Sequence, residues 1–219
     1  MQLKAIGDRF REHLMCLGQI DEAGNEEARR LALSGLDKEG RTLVMGWMRD
    51  TGTIDRLDQM GDISGGAAGR NDSLPPIITC SHIDTQPSGG KFDGCCGVMA
   101  GLEVVQSLVD AGVKTEAPFE VAIWASGKAA RFVPAMIRSA VFCGDIPLEH
   151  AWSAKDARGI TVKGELDRFR DVCDQQIGQR HVGAYLEAHV EQVPVLDRED
   201  IVIGVVTGVV FVTAAGGAA

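Results

Sequence analysis

Between residues 75 and 125 the chain runs through an apolar segment, a glycine-rich loop, an amphipathic segment and a second apolar segment. Few folds accommodate that order. Residues 75–80 form a short apolar run bounded by turn formers, the pattern of a buried strand. Val98, Leu102, Val105 and Val109 share one face of a helix predicted over residues 97–111, with Gly112 at its end. Residues 119–125 read as another buried strand. Strand, crossover helix and strand imply two parallel neighbours in one sheet. The expected fold is therefore α/β, a largely parallel sheet flanked by helices. Functional sites in such sheets lie at the carboxyl ends of the strands.

The flanking sequence extends this layout. Leu3, Ile6, Phe10, Leu14 and Leu17 recur at helical spacing, and a second helix is predicted over residues 37–50 with Leu43, Val44, Trp47 and Met48 on its buried face. Residues 54–71, rich in glycine, read as short strands and turns at the surface. A short helix is expected over 134–141 and a strand over 182–190, and the apolar run 201–215 reads as a buried strand. That run is too short for the roughly 20 residues of a membrane-spanning helix. A net charge of −9 argues against a basic surface for nucleic acid or an anionic membrane. Six cysteines without paired spacing fit reduced thiols in a cytoplasmic protein.

The loop after the first buried strand carries the chemistry. It reads Thr79-Cys80-Ser81-His82-Ile83-Asp84-Thr85 and then Gly89-Gly90-Lys91-Phe92-Asp93-Gly94, so an imidazole and two carboxylates lie a few residues apart at a strand end. Neutral imidazole and carboxylate oxygen are the usual ligands of Zn²⁺ and similar ions. His189 lies at the end of the strand predicted over 182–190, and Gly127-Lys128 follow the strand over 119–125. Cys80, Cys95 and Cys96 lie close enough in sequence to add thiolate ligands. His13, His150 and His181 sit in no motif and are expected to face solvent.

Several of these segments occur together, in this order, in one known family. They are Ser81-His82-Ile83-Asp84-Thr85, Gly89-Gly90-Lys91-Phe92-Asp93-Gly94, Gly97-Val98-Met99-Ala100-Gly101-Leu102-Glu103, Ala130-Arg131-Phe132-Val133-Pro134 and Tyr185-Leu186-Glu187-Ala188-His189-Val190-Glu191-Gln192. The chain resembles the binuclear-zinc amidohydrolases related to aminoacylase and carboxypeptidase-type exopeptidases. The most similar branch holds N-carbamoyl-L-amino acid hydrolases, β-ureidopropionases and allantoate amidohydrolases. The resemblance implies the N-terminal part of such a catalytic domain over residues 1–208, with a divergent tail over 209–219. It makes His82, Asp93 and His189 metal ligands, Asp93 the bridge between two ions, and Asp84 the carboxylate that orients the His82 imidazole. Arg131 and Gln192 match positions near the substrate.

The resemblance also marks a departure. The family carries two adjacent glutamates, a general base and a ligand of the second ion, where this chain has Gly127 and Lys128. Glycine has no basic side chain, and a charged lysine offers three donors and no lone pair. An ammonium at 128 would stand near Asp93, where a second cation is expected. At most one ion (Zn, or Mn or Co) is expected. Three functions are compatible with these residues: a divergent hydrolase of ureido or amide substrates with impaired turnover, a binding or assembly protein that keeps the fold, and new chemistry in which Lys128 or a cysteine acts as base or nucleophile. A sheet lacking its second half also implies a partner, either another copy or a complementing chain.

Overall fold

A computed structural model describes residues 3–20, 27–87, 89–170, 176–178, 180–192 and 194–208. The elements follow in the order α1 (Gly7–Leu17), β1 (Glu27–Ala28), α2 (Gly35–Asp50), β2 (Ile54–Leu57), β3 (Ile63–Ala67), β4 (Ile77–His82) and β5 (Gly89–Gly90). After these come α3 (Cys95–Asp110), β6 (Phe119–Trp124), α4 (Ile137–Cys143), α5 (Leu148–Ser153), α6 (Val162–Phe169), β7 (Ala184–Leu186) and α7 (Val195–Arg198). Five strands form one sheet in the order β2-β3-β6-β4-β7. The β4–β6 and β4–β7 pairs are parallel, whereas β2–β3 and β3–β6 are antiparallel. The sheet is thus mixed, parallel on the side that carries β4.

The antiparallel side corrects the reading of residues 54–71 as a surface segment. Ile63 is fully buried, and β3 pairs along its whole length with β6. Its glycines gave no apolar signal, because they let neighbouring backbone come close. A Cβ at Gly66 would stand 2.1 Å from the Phe119 carbonyl oxygen.

One face of the sheet carries the main core. Leu14 and Leu17 of α1, Val44 and Met48 of α2 and Val98, Leu102 and Val105 of α3 pack with Ile63, Val121 and Ile123. Burying each such side chain stabilises the fold by about 1.5–3 kcal/mol. Helix α3 approaches β4 closely because its glycines face the strand: a Cβ at Gly101 would meet Thr79 Cγ2 at 2.5 Å, and one at Gly97 would meet Ser81 Cβ at 2.8 Å. Helix α2 starts at Ser34, whose hydroxyl accepts from the Asp37 N–H. A second cluster joins α4, α5 and α6 through Phe132, Ile137, Val141, Ala151, Val162 and Leu166. The opposite face of the sheet is thinly covered, by Ile78, Cys80 and Ala122 with Trp124 and Val182.

Two sequence expectations change at the C-terminal side. The strand predicted over 182–190 is only Ala184–Leu186, exposed at the sheet edge. The run 201–215 is no buried strand where it is described. Residues 201–208 carry no regular structure and are exposed, with Val202 92% and Val205 88% accessible. Residues 209–219 lie outside the described residues. Among the described residues no helix is long and apolar enough to cross a membrane.

Between the two clusters lies a buried charged group. Asp62 Oδ1 accepts from the Ala125 N–H at 2.9 Å and faces Arg138 Nη1 at 3.5 Å. Burial, reinforced by the nearby Asp58 carboxylate and opposed by Arg138, pushes the Asp62 pKa up to about 7. The folded-state value then exceeds the unfolded one, so the native state binds the extra proton between them. Stability from this group is present at low pH and is lost as pH rises towards about 7. Asp62→Asn is therefore expected to gain stability relative to the parent between about pH 4 and about pH 7 and to hold that gain above it, read as urea midpoints. A midpoint difference that does not change with pH would count against it.

Candidate metal centre

Three adjacent parallel strands deliver the site. The β4–β6 register pairs His82 with Trp124, so the loop after His82 and the turn at 125–128 emerge side by side. Strand β7 lies along β4 on its other edge and ends three residues before His189. Asp93 comes from the loop that leads into α3. Gly94 follows with φ +67°, a conformation that glycine adopts freely.

His82, Asp93 and His189 each offer one ligand atom, and these atoms lie within 4.8 Å of one another. Bonds of about 2 Å to a zinc-sized ion bridge such a spread after a small contraction. His82 and Asp93 are buried, while His189 is exposed. The two imidazoles face each other at 5.7 Å between ring centroids. The residues thus fit one divalent ion bound by two nitrogens and one carboxylate oxygen, an ordinary donor set for zinc. No thiol belongs to this group among the described residues. Burial raises the Cys80 and Cys95 pKa values to about 11, and Cys95 Sγ accepts from Arg30 Nη2 at 3.2 Å.

Asp84 faces the His82 imidazole with both its backbone and its carboxylate oxygens. His82 Nδ1 lies 2.9 Å from the Asp84 backbone oxygen and 3.5 Å from the carboxylate Oδ1. The Nδ1–H is thus directed mainly at the carbonyl, which leaves Nε2 for an ion. Burial alone lowers the His82 pKa, but the hydrogen bonds and charge of Asp84 outweigh it and the net direction is up. The Asp84 carboxylate also holds the next loop, accepting from the Gly127 N–H at 2.9 Å and the Lys128 N–H at 3.2 Å. One residue therefore fixes both the imidazole and the turn opposite it. That turn is constrained further by Ser126, which has φ +74° and a buried hydroxyl with no hydrogen-bond partner among the described residues.

Asp93 is contacted from both sides. Gln192 Nε2 donates to Oδ1 at 2.8 Å, and His189 Nε2 lies 3.3 Å from the same oxygen. Lys128 Nζ lies 3.1 Å from Oδ2. Gln192 thus positions a candidate ligand, whatever its relation to substrate.

Arg131 is engaged elsewhere. Its guanidinium pairs with Asp156 at 3.2 Å and Glu165 at 3.3 Å and donates to the Ala32 and Leu33 carbonyls. Those contacts tie α6 to the strand-to-helix segment before α2 and give Arg131 structural partners. His13 also departs from its solvent-facing expectation, stacking on Trp47 at 4.2 Å.

Sequence reasoning missed Arg30. It is fully buried, and its side chain donates to the carbonyls of Ile83, Leu17 and Ile20, while its N–H donates to Thr85 Oγ1. It therefore clamps the loop that carries His82 and Asp84. The sequence gives little signal for it, because Arg30 follows Glu26, Glu27 and Arg29 in a charged stretch that reads as solvated.

Gly127 and Gly94 enclose the His82 ring. A Cβ at Gly94 would stand 2.4 Å from His82 Cε1, and one at Gly127 would stand 2.5 Å from Cγ and 2.7 Å from Cβ. The imidazole fills the space that any larger residue at 127 would need.

This geometry can be set beside known proteins. A model of peptidase family M20/M25/M40 matches residues 78–217. The chain belongs to this family. An N-carbamoyl-L-amino-acid amidohydrolase of Rhizobium meliloti is 40% identical over 200 residues, covering 91% of this chain and 48% of that protein. An allantoate deiminase of Arabidopsis thaliana is 29% identical over 201 residues, covering 88% of this chain and 38% of the relative. Among solved structures, an amidase of the hydantoinase/carbamoylase family from Burkholderia multivorans superposes with a TM-score of 0.88 at 42% identity, over 90% of this chain and 48% of that one. The chain spans about half the length of the curated relatives it matches.

Proposed function

We propose that this chain is a divergent, single-ion amidohydrolase acting on non-peptide C–N bonds of N-carbamoyl-L-amino acids or related ureido compounds, with slow turnover. The observation that carries the reading is the convergence of His82, Asp93 and His189 at three neighbouring loops. Membership of the family and the names of its relatives support the substrate class. A divalent ion held by these residues would supply Lewis acidity and lower the pKa of a nearby water. Asp84 keeps the His82 tautomer that leaves Nε2 free, and Gln192 holds the Asp93 carboxylate in place. Lys128 brings a fixed positive charge to the edge of the site, suited to a substrate carboxylate or a developing oxyanion.

Slow turnover follows from position 127, which offers no group to move a proton. A positioned general base is worth about 10²–10⁴ in rate. The test is ureido hydrolysis by the purified chain with added Zn²⁺, Mn²⁺ or Co²⁺, followed as release of free amino acid. A low rate that chelation abolishes and Asp93→Asn reduces at least about tenfold is expected. Chelation that leaves the rate unchanged would overturn the metal assignment.

The second reading is a binding or assembly protein that has kept the fold. It is favoured by the closure of the site around His82, where Gly127 leaves no space for a base. In that case ureido ligands would bind without turnover. The exposed β7 edge and the exposed Val202, Ile203, Val205 and Val206 suit a covering partner, another copy or a complementing chain. Chemistry by Lys128 or a cysteine is less favoured: Lys128 is paired with Asp93, and the Cys80 and Cys95 thiols are held protonated by burial.

A further inference from the structure

The side chains around Asp93 form an asymmetric set. Its Oδ1 faces His189 and Gln192, on the side of the candidate ion, and its Oδ2 faces only the Lys128 ammonium among the contacts of the described residues. Lys128 is held at both ends. Its backbone N–H donates to Asp84 Oδ2 at 3.2 Å, and its Nζ meets Asp93 at 3.1 Å with the side chain only 15% exposed. The two carboxylates that shape the site are thus joined through this one residue.

We infer that Lys128 is a covalently tethered cation that occupies the second half of the Asp93 carboxylate, limiting the site to one exchangeable divalent ion and lowering its affinity for that ion. The inference rests on the reading that an ion binds among His82, Asp93 and His189.

The physical basis is charge balance. Without an ion, Asp93 already receives donors on both oxygens, so the loop before α3 is held without metal. With an ion, a carboxylate shared with an ammonium is a weaker ligand than one free to give all its charge to the metal. The ammonium also lies within a few ångströms of the incoming dication and repels it. At position 128 taken alone the change conserves net charge relative to the pattern the sequence resembles, and the glycine at 127 leaves the site one charge more positive. A glutamate plus a second divalent ion adds one positive charge, and so does a lysine. The field on Asp93 is therefore kept while one exchangeable ion is removed. Lysine suits this task, because its ammonium is a compact point charge on a flexible stem with no lone pair to recruit a metal.

A charge series at position 128 tests the inference with two readouts. Zinc affinity and stoichiometry are measured by chelator competition and elemental analysis on the full chain and on Lys128→Arg, Lys128→Met and Lys128→Glu. Melting of the same four proteins is measured in excess EDTA. One zinc per wild-type chain is expected. Lys128→Arg should stay within about threefold of wild-type affinity, Lys128→Met should bind at least about tenfold tighter, and Lys128→Glu tighter still. In EDTA, Lys128→Met and Lys128→Glu should melt below the parent and Lys128→Arg close to it. Equal zinc affinity across the series, or two ions on the wild-type chain, would overturn the inference while leaving the single-ligand-set reading of His82, Asp93 and His189 to its own test. Absence of zinc from all four proteins would overturn both.

Discussion

Arg30→Ala is expected to be the most destabilising single substitution in the N-terminal half. The guanidinium is fully buried and donates to the carbonyls of Ile83, Leu17 and Ile20, with Cys95 Sγ as a fourth acceptor. Alanine removes these donors in a buried region: the Leu17 carbonyl keeps the Ile20 N–H at 3.2 Å and the Ile83 carbonyl a long contact from Cys95 Sγ at 3.8 Å, and a buried group left unmade costs about 1–3 kcal/mol. Water entering the vacated space recovers part of this. A loss of about 3–5 kcal/mol is expected, lowering Tm by roughly 10 °C for a chain of this size. Because Ile83 sits between His82 and Asp84, zinc affinity should fall together with stability. Equilibrium unfolding and zinc titration of the same variant check both. A loss below about 1 kcal/mol would show that the clamp is dispensable.

Arg30 also marks the limit of what the sequence made legible. The segment from β4 through α3 to β6 could be read because its burial is two-sided for the strands and one-sided for the helix, and each leaves its own apolar period. The helix begins two residues earlier than the apolar pattern indicates, at Cys95, since small residues pressed on β4 leave no periodic signal. Helices α5 and α6 escaped detection because they are short and pack on α4 through a few positions. The β2–β3 hairpin was legible as short strands, but its burial in the sheet was hidden by glycines that serve backbone approach. The expectation of a buried strand over 201–215 fails on its described part, 201–208, because hydrophobicity reports what a segment is suited to cover, not what the chain at hand offers to cover it.

The site shows the same division. The spacing of His82, Asp84 and Asp93 placed an imidazole and carboxylates at one strand end, and the parallel register of β4, β6 and β7 then brings His189 and Lys128 to them. No residue pattern could reveal that Asp84 accepts from the Gly127 and Lys128 N–H groups. The contact joins segments more than 40 residues apart, and its donors are backbone atoms. A motif position likewise does not show that Arg131 pairs with Asp156 and Glu165, which lie 25 and 34 residues further along the chain.

Restoring a carboxylate by Gly127→Glu is expected to fail. A free catalytic position would return about 10²–10⁴ in rate. Here the new Cβ would meet His82 Cγ at 2.5 Å, Cδ2 at 2.6 Å and Cβ at 2.7 Å, so the collision involves the root of the side chain and not a flexible tip. His82 cannot retreat, because the ring is closed on its other side by Gly94 and its Nδ1 is held by the Asp84 carbonyl. Relief must therefore come from moving the 126–128 turn, which breaks the Gly127 N–H to Asp84 bond and loosens Lys128 as well. Overpacking of this kind costs about 1–3 kcal/mol. The variant should melt lower than the parent, bind zinc at least about tenfold more weakly through displacement of His82, and hydrolyse ureido substrates no faster. The double variant Gly127→Glu with Lys128→Glu meets the same obstruction and is expected to hydrolyse ureido substrates no faster than the parent. A hundredfold gain in rate from Gly127→Glu alone would show that the turn yields easily and that position 127 lost only its carboxylate, whereas failure with weakened zinc binding would place the loss of the base and the resting place of His82 in one structural change.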